Sequence, residues 1–292
     1  FQTKMWNITK FALMQLEKGG FDKDVPVTSL ADRWLLVRLS DTVEQVGTAM
    51  EAYQFDVALK AIREFAWDVL ADNYIELAKG RLYGEGPERH GACRALRETL
   101  DTLCRLLAPF APHFAEEIFS RLEDESVHSK DWPRPAWHDE NALSEGRLVV
   151  RLAAEIRRYK HEQGLALNAP MGKVTIFNAG IGSDGGDLSR ALNSSIEWRH
   201  DTSALERKPG EVTFNMAIIG PALRKDAPAF MAAVRALPAE EVSRGRVSVQ
   251  VGGREIPVPP GSYELRTEYL VEGEKVDVIT VDDVIVTVRK NP

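Results

Sequence analysis

The chain has 292 residues, 44% of them hydrophobic and 28% charged, with a formal net charge of −7. That length supports two domains with cores of their own, and no apolar run reaches the roughly 20 residues that a membrane-spanning helix needs. Residues 1–142 hold 17 Lys+Arg against 24 Asp+Glu, while residues 143–292 hold 20 of each, a balance that argues against a polyanion binder working by bulk charge.

The first predicted helix runs from Phe1 to Glu17 and stops at Gly19–Gly20, a C-terminal signal. A loop with Pro26 follows. The second helix opens at Thr28 or Ser29 and carries Leu36, Leu39, Val43, Val46, Met50 and Tyr53 at alternating spacings of three and four. A third, Ala58 to Lys79, buries Leu59, Ile62, Phe65, Ala66, Val69, Leu70 and Leu77, with Asn73 as one polar insertion. Its other side shows Lys60, Glu64, Asp68, Asp72 and Glu76 in one row. Such a row repels a phosphate backbone, so any RNA surface lies on another face.

Gly84, Gly86 and Pro87 break the chain, and a fourth helix carries Leu96, Leu100, Leu103 and Leu107. Pro109 and Pro112 end or kink it, and a fifth helix spans His113 to Leu122. Asp124–Asn141 reads as a surface loop across the bundle, with Trp132 and Trp137 as packing anchors. A sixth helix, Leu143 to Gln163, buries Leu148, Leu152, Ile156 and Tyr159. Arg147, Arg151, Arg158 and His161, joined by Arg157 and Lys160, form a basic stripe that is either solvated or turned to RNA. Gly164–Pro170 forms a linker.

Beyond the linker the apolar period falls to two. Lys173–Phe177, Val212–Phe214, Val247–Val251, Tyr263–Tyr269, Lys275–Thr280 and Val284–Val288 read as strands, with short helices near Asp187–Leu192 and Asp226–Ala236. The fold class is therefore multi-domain α and α+β: an all-α helical bundle over 1–142, a basic helix and linker over 143–170, and a small α+β domain of mostly antiparallel strands over 171–292.

Motifs for independent chemistry are few. Cys93 and Cys104 stand eleven residues apart on one helix, about 16 Å along its axis, beyond the roughly 7 Å a disulfide spans between Cα atoms. The same distance rules out a shared zinc, so they read as buried thiols of a reducing cytoplasm. The histidines at 90, 113, 128, 138, 161 and 200 lack metal-ligand spacing, and no Gly-x-Ser-x-Gly nucleophile is present. No residue is therefore assigned as catalytic or metal-binding. Gly180-x-Gly182-x-x-Gly185 sits between a predicted strand and helix, as a dinucleotide site requires. Asp184 and Asp187 would put two carboxylates where a pyrophosphate must lie, so a loop is the better account.

Five blocks in order carry a resemblance. They are PheGlnThrLysMetTrpAsnIleThrLysPheAlaLeuMet (1–14), AlaAspArgTrpLeuLeuValArgLeu (31–39), TrpAspValLeuAlaAspAsnTyrIleGluLeuAlaLysGlyArgLeuTyr (67–83), LeuLeuAlaProPheAlaProHisPheAlaGluGluIlePhe (106–119), and SerValHis with TrpPro (126–128, 132–133). Together they resemble the class I aminoacyl-tRNA synthetases, and their spacing resembles the anticodon-binding helical domain of the valyl-tRNA synthetases, archaeal-like in subgroup. ArgArgTyrLys with GlyLeuAlaLeuAsnAlaPro extends the likeness to Pro170, and the segment around Ile218–Asp226 resembles their C-terminal appendage more loosely. The HIGH and KMSKS signatures that hold ATP are missing, and the chain opens within a helix at Phe1 without an initiator Met. The resemblance thus implies a cytoplasmic C-terminal fragment, without cofactor of its own, of an enzyme whose full length uses ATP and Mg in its catalytic and editing domains.

The implied partner is the anticodon arm of valine tRNA, with no DNA and no membrane. Anticodon readout lays unstacked bases on aromatic or guanidinium planes, with Lys and Arg on phosphates setting the register. The residues that fit are Lys4, Asn7, Lys10 and Lys18 on the first helix, Phe21 in the glycine-flanked loop as the stacking platform, and Arg33 and Arg38 on the second helix. Lys79 and Arg81 at the end of the third helix, and Arg151 and Arg158 on the sixth, complete the set. Phe11 reads as core. The alternatives are the same region of an isoleucyl-tRNA synthetase and, on the strength of the acidic bundle, a helical scaffold for protein partners that binds no RNA.

Overall fold

The computed structural model describes residues 2–18, 22, 24–181, 184, 186–238, 242 and 248–289. The chain divides into two compact units, Phe1–His200 with Ile279–Ile285, and Asp201–Val278 with Val286–Pro292.

The first unit is a helical bundle: α1 Gln2–Glu17, α2 Leu30–Glu51, α3 Phe55–Glu64, α4 Ile75–Leu82, α5 Pro87–Leu107, α6 Pro112–Phe119 and α7 Glu140–Glu162. The spacing expected of α2 puts Leu36, Leu39, Val43 and Val46 in the core. Tyr53, read as the end of that stripe, instead lies past the helix at φ 58 with 81% of its surface exposed. A second departure is larger. Phe65–Tyr74, between α3 and α4, is π-helical, and Asn73 Nδ2 donates to the Asp68 carbonyl five residues back at 2.6 Å. Phe65, Ala66, Val69, Leu70 and Tyr74 still face the core, and Glu64, Asp68, Asp72 and Glu76 face solvent as the sequence predicts.

The connection before α7 is anchored by side chains. Ser40 Oγ accepts from the amides of Ala136 (3.2 Å) and Trp137 (2.9 Å), and Trp137 Nε1 donates to Glu98 at 2.5 Å. Asp139 then caps α7 by accepting from the Ala142 amide at 2.9 Å. A glycine is required at 146 because a Cβ there would lie 2.5 Å from the Cβ of Trp34 on α2.

After α7 come β1 Met171–Phe177, α8 Asp187–Leu192 and β2 Ser194–Arg199. β1 and β2 pair in parallel, an exception to the antiparallel expectation that follows from the helix crossing between them. The change of period at 171 therefore marks where helix gives way to strand, while the first unit continues to His200. Periodicity reports local geometry and is blind to which surfaces pack. α8 rests on α4, where a Cβ on Gly80 would come 2.8 Å from Arg190 Cδ.

The second unit holds β3 Leu205–Phe214, α9 Met216–Leu223, α10 Ala227–Arg235, β4 Ser248–Val251, β5 Arg254–Pro257 and β6 Tyr263–Val271, with most of β7 Glu274–Val281 and β8 Val284–Arg289. β3 pairs antiparallel with β6 across a bulge between Pro209 and Val212, β6 with β7, and β4 with β5. Its core is Ile219, Ala227, Phe230, Val234 and Val249. The sequence reading missed β2, β5 and α9, and its Val247 lies outside the described residues.

Candidate nucleic-acid interface

α1 turns Asn7, Lys10, Met14 and Glu17 to solvent while Met5, Ile8, Thr9, Ala12, Leu13 and Gln15 are buried. Beside the exposed row lies Trp6. Lys10 Nζ is 5.6 Å from its ring centre and the Arg121 guanidinium 5.2 Å, with the Phe114 ring 6.5 Å away. Cations stacked on an indole form the pairing that suits an unpaired base next to its phosphate. Just past the end of α1, Lys18 Nζ sits 5.8 Å over the ring of Tyr83, a half-exposed side chain edge-on to Phe11 at 6.3 Å.

The other sequence candidates are placed differently. Lys4 is held by Asp72 at 2.9 Å, with its ammonium 4.7 Å from the ring of Trp67. Arg33 pairs with Asp139 at 2.6 Å, at the cap of α7. Arg38 is half-buried, and its Nε has no hydrogen-bond partner among the described residues. Lys79 stays exposed beside Glu76 at 3.3 Å. Arg151 makes a two-pronged pair with Asp282, and Arg158 lies between Glu155 (2.8 Å) and Glu162 (3.5 Å). The stripe on α7 is thus largely neutralised. Lys160, placed on that stripe in the sequence, is buried and donates to the carbonyls of Leu167 (3.0 Å), Ala169 (2.8 Å) and Leu192 (2.5 Å). Phe21 lies outside the described residues.

Arg81 requires a correction. It is buried and fully engaged: Nη1 and Nη2 donate to the two carboxylate oxygens of Asp32 at 2.8 and 2.7 Å, Nε donates to Asp187 at 2.8 Å, and Nη1 also reaches the Glu88 carbonyl at 3.1 Å. Tyr74 donates its hydroxyl to Asp32 at 2.8 Å, while Arg190 (2.7 Å) and Ser29 (3.2 Å) donate to Asp187. Burial would lower the Arg81 pKa, but Asp32, then Tyr74 and Asp187, hold it far above its ordinary value. Burial pushes Asp32 up against the pull of Arg81, and pushes Tyr74 up with Asp32 adding to it. Arg81 stays a cation and cannot reach a phosphate. The sequence could not show this, because Asp187 is 106 residues away.

At the Gly180 loop, Gly182 and Gly185 lie outside the described residues. Asp184 accepts from the amides of Gly186 (3.0 Å) and Leu188 (2.5 Å), and burial raises its pKa. A carboxylate thus occupies the start of α8, where a nucleotide phosphate would need those donors.

Trp6, Phe114, Tyr83 and Arg121 are what sequence reasoning overlooked at the site. The spacing of four between Trp6 and Lys10 was a usable signal; the arrival of Arg121 depends on tertiary packing.

Comparison with known proteins gives one pattern. The anticodon-binding domain of tRNA ligases matches residues 32–176, starting at Asp32 and running through α7 into β1. A valine–tRNA ligase of Methanosarcina barkeri is 44% identical over 301 aligned positions, which take in 99% of this chain and 34% of that protein. One from Archaeoglobus fulgidus is 36% identical over 99% of the chain and 34% of its own length. The chain thus spans about a third of the length of the curated relatives it matches. A LeuRS–tRNA–LeuAMS ternary complex from Agrobacterium radiobacter K84 overlaps 49% of the chain and 16% of the LeuRS, at 21% identity and a TM-score of 0.35, too low to carry an argument.

Proposed function

This chain belongs to the valine–tRNA ligase family, and from that membership we propose that it recognises the anticodon arm of valine tRNA. The observation that carries the reading is the half-buried Trp6 ring with Lys10 and Arg121 over it, on the helix that precedes the stretch 32–176 matching an anticodon-binding domain. Bases stack on Trp6, and Lys10 and Lys18 meet phosphates. Asn7 supplies an amide to base edges. The acidic row Glu64, Asp68, Asp72 and Glu76 faces solvent, with Asp72 pairing Lys4 of α1, and contributes no phosphate contact. On this reading the whole ligase joins valine to its tRNA with ATP and Mg through catalytic and editing domains outside this chain, which spans 34% of the length of the Methanosarcina barkeri relative. Two free, buried thiols accord with a cytoplasmic setting, and among the described residues no helix is long and apolar enough to cross a membrane.

Binding of valine and isoleucine tRNAs at equal salt tests the proposal. Their anticodons differ at the third position, C against U, and one directly read base is worth about 1–3 kcal/mol. Valine tRNA should bind roughly 5- to 150-fold more tightly at that rate. Equal, weak binding of both would favour the protein scaffold, which the exposed acidic row supports.

A further inference from the structure

The buried cluster around Arg81 joins elements far apart in sequence, and it stands one residue away from the contacts that end α1. Arg89, in the first turn of α5, donates to the carbonyls of Gln15 (2.5 Å) and Lys18. These are carbonyls that the end of α1 leaves without helical partners, so a buried guanidinium caps that helix. Two more α5 side chains hold the chain that leaves α1. His90 Nδ1 accepts from the Asp22 amide at 2.7 Å, and Arg94 donates to the Val25 carbonyl at 3.1 Å. The start of α5 is in turn fixed by Arg81 through the Glu88 carbonyl, and Arg81 is oriented by Asp32 and Asp187.

We propose that Arg81 and Asp187 are positioning residues for RNA recognition. Anchored by α8, Arg81 sets the start of α5, and Arg89 from there sets the end of α1 that carries Lys18 and adjoins Tyr83. The proposal rests on the anticodon reading for the identity of the ligand, but the mechanical link is independent of it. It also assigns α8 and its Asp187 a part in a surface to which they contribute no contact. Asp187 suits that part because one oxygen serves both Arg81 and Arg190 while the other serves Ser29. The carboxylate therefore has no freedom to turn toward solvent.

The test is Asp187→Asn in the full chain, which keeps the shape and removes the charge, with Arg81→Lys as a companion that keeps the charge and loses the fork. Amide hydrogen exchange should quicken over residues 12–18 in both variants and stay unchanged over α9 and α10, 216–235. Affinity for valine tRNA should fall about 2- to 30-fold, the range of such indirect couplings, with the salt slope unchanged because no phosphate contact is lost. Exchange that stays at the wild-type level at α1, or that quickens everywhere alike, overturns the proposal, since the cluster would then serve stability alone. Exchange confined to α1 with full tRNA affinity overturns the link to RNA recognition. Should the wild-type chain bind no tRNA while exchange changes as expected, the anticodon reading falls and the Asp187–α1 link stands. If Asp187→Asn does not fold, the exchange and binding outcomes are read from Arg81→Lys.

Discussion

Among single residues, Lys10 and Trp6 separate the two chemistries that an RNA surface needs. Trp6→Ala should cost about 1–3 kcal/mol of tRNA affinity by loss of stacking and leave the salt dependence as it was. Lys10→Ala should weaken all tRNAs alike and flatten the salt slope by a little under one unit. Titrations of both variants at three salt concentrations would show the difference, and identical slopes would remove Lys10 from the phosphate contacts. Asp139 has a different role. Its pKa is held below the ordinary 3.8 chiefly by the Ala142 amide it caps, with Arg33 assisting against some burial. A depressed carboxylate stabilises the fold above its unfolded pKa, and that contribution disappears as pH falls through the folded value. Asp139→Ala should therefore cost about 1 kcal/mol at pH 7. In melts taken at successively lower pH, the gap from wild type should close once the medium passes below the ordinary carboxylate value. A gap that stays constant would mean the ionised carboxylate is not what caps α7.

For whole elements, close helix approach depends on missing side chains. Gly146→Ala would drive a Cβ to 2.5 Å from the Trp34 side chain, and overpacking of this kind costs about 1–3 kcal/mol. Gly80→Ala meets Arg190 Cδ at 2.8 Å and Cβ at 3.0 Å; Cδ can swing aside and the Cβ approach is less close than at Trp34, so the smaller loss is expected there. Melting temperatures of the two variants give the order directly; equal losses would show that Arg190 is held as rigidly as the tryptophan. The π-helical Phe65–Tyr74 was not foreseen. A π turn takes more residues than an α turn, so the two periods drift apart over this segment: the α-helical count put Asn73 in the core stripe, whereas the structure buries Tyr74 there.

For the whole molecule, the prediction concerns what the chain does without the rest of a ligase. It spans 34% of its relatives' length and carries neither the HIGH nor the KMSKS signature, so valine-dependent ATP–pyrophosphate exchange should stay at the no-enzyme level. Activity above that level would put an adenylate-forming site within these residues. The sequence by itself determined most of the helices and strands, the acidic face of Glu64–Glu76 and the family, because each is written in local spacing or in contiguous blocks. It also singled out Asn7 and Lys10 on α1, but that they share an exposed row came from the structure. Only the tertiary structure decided which cations are free. Arg81, Lys160, Arg33 and Arg151 look alike in sequence, yet they end on Asp32 and Asp187, on three carbonyls, on Asp139 and on Asp282. A charged side chain is claimed by whichever partner the fold brings within about 3 Å, and that partner stands as many as 131 positions away in the chain.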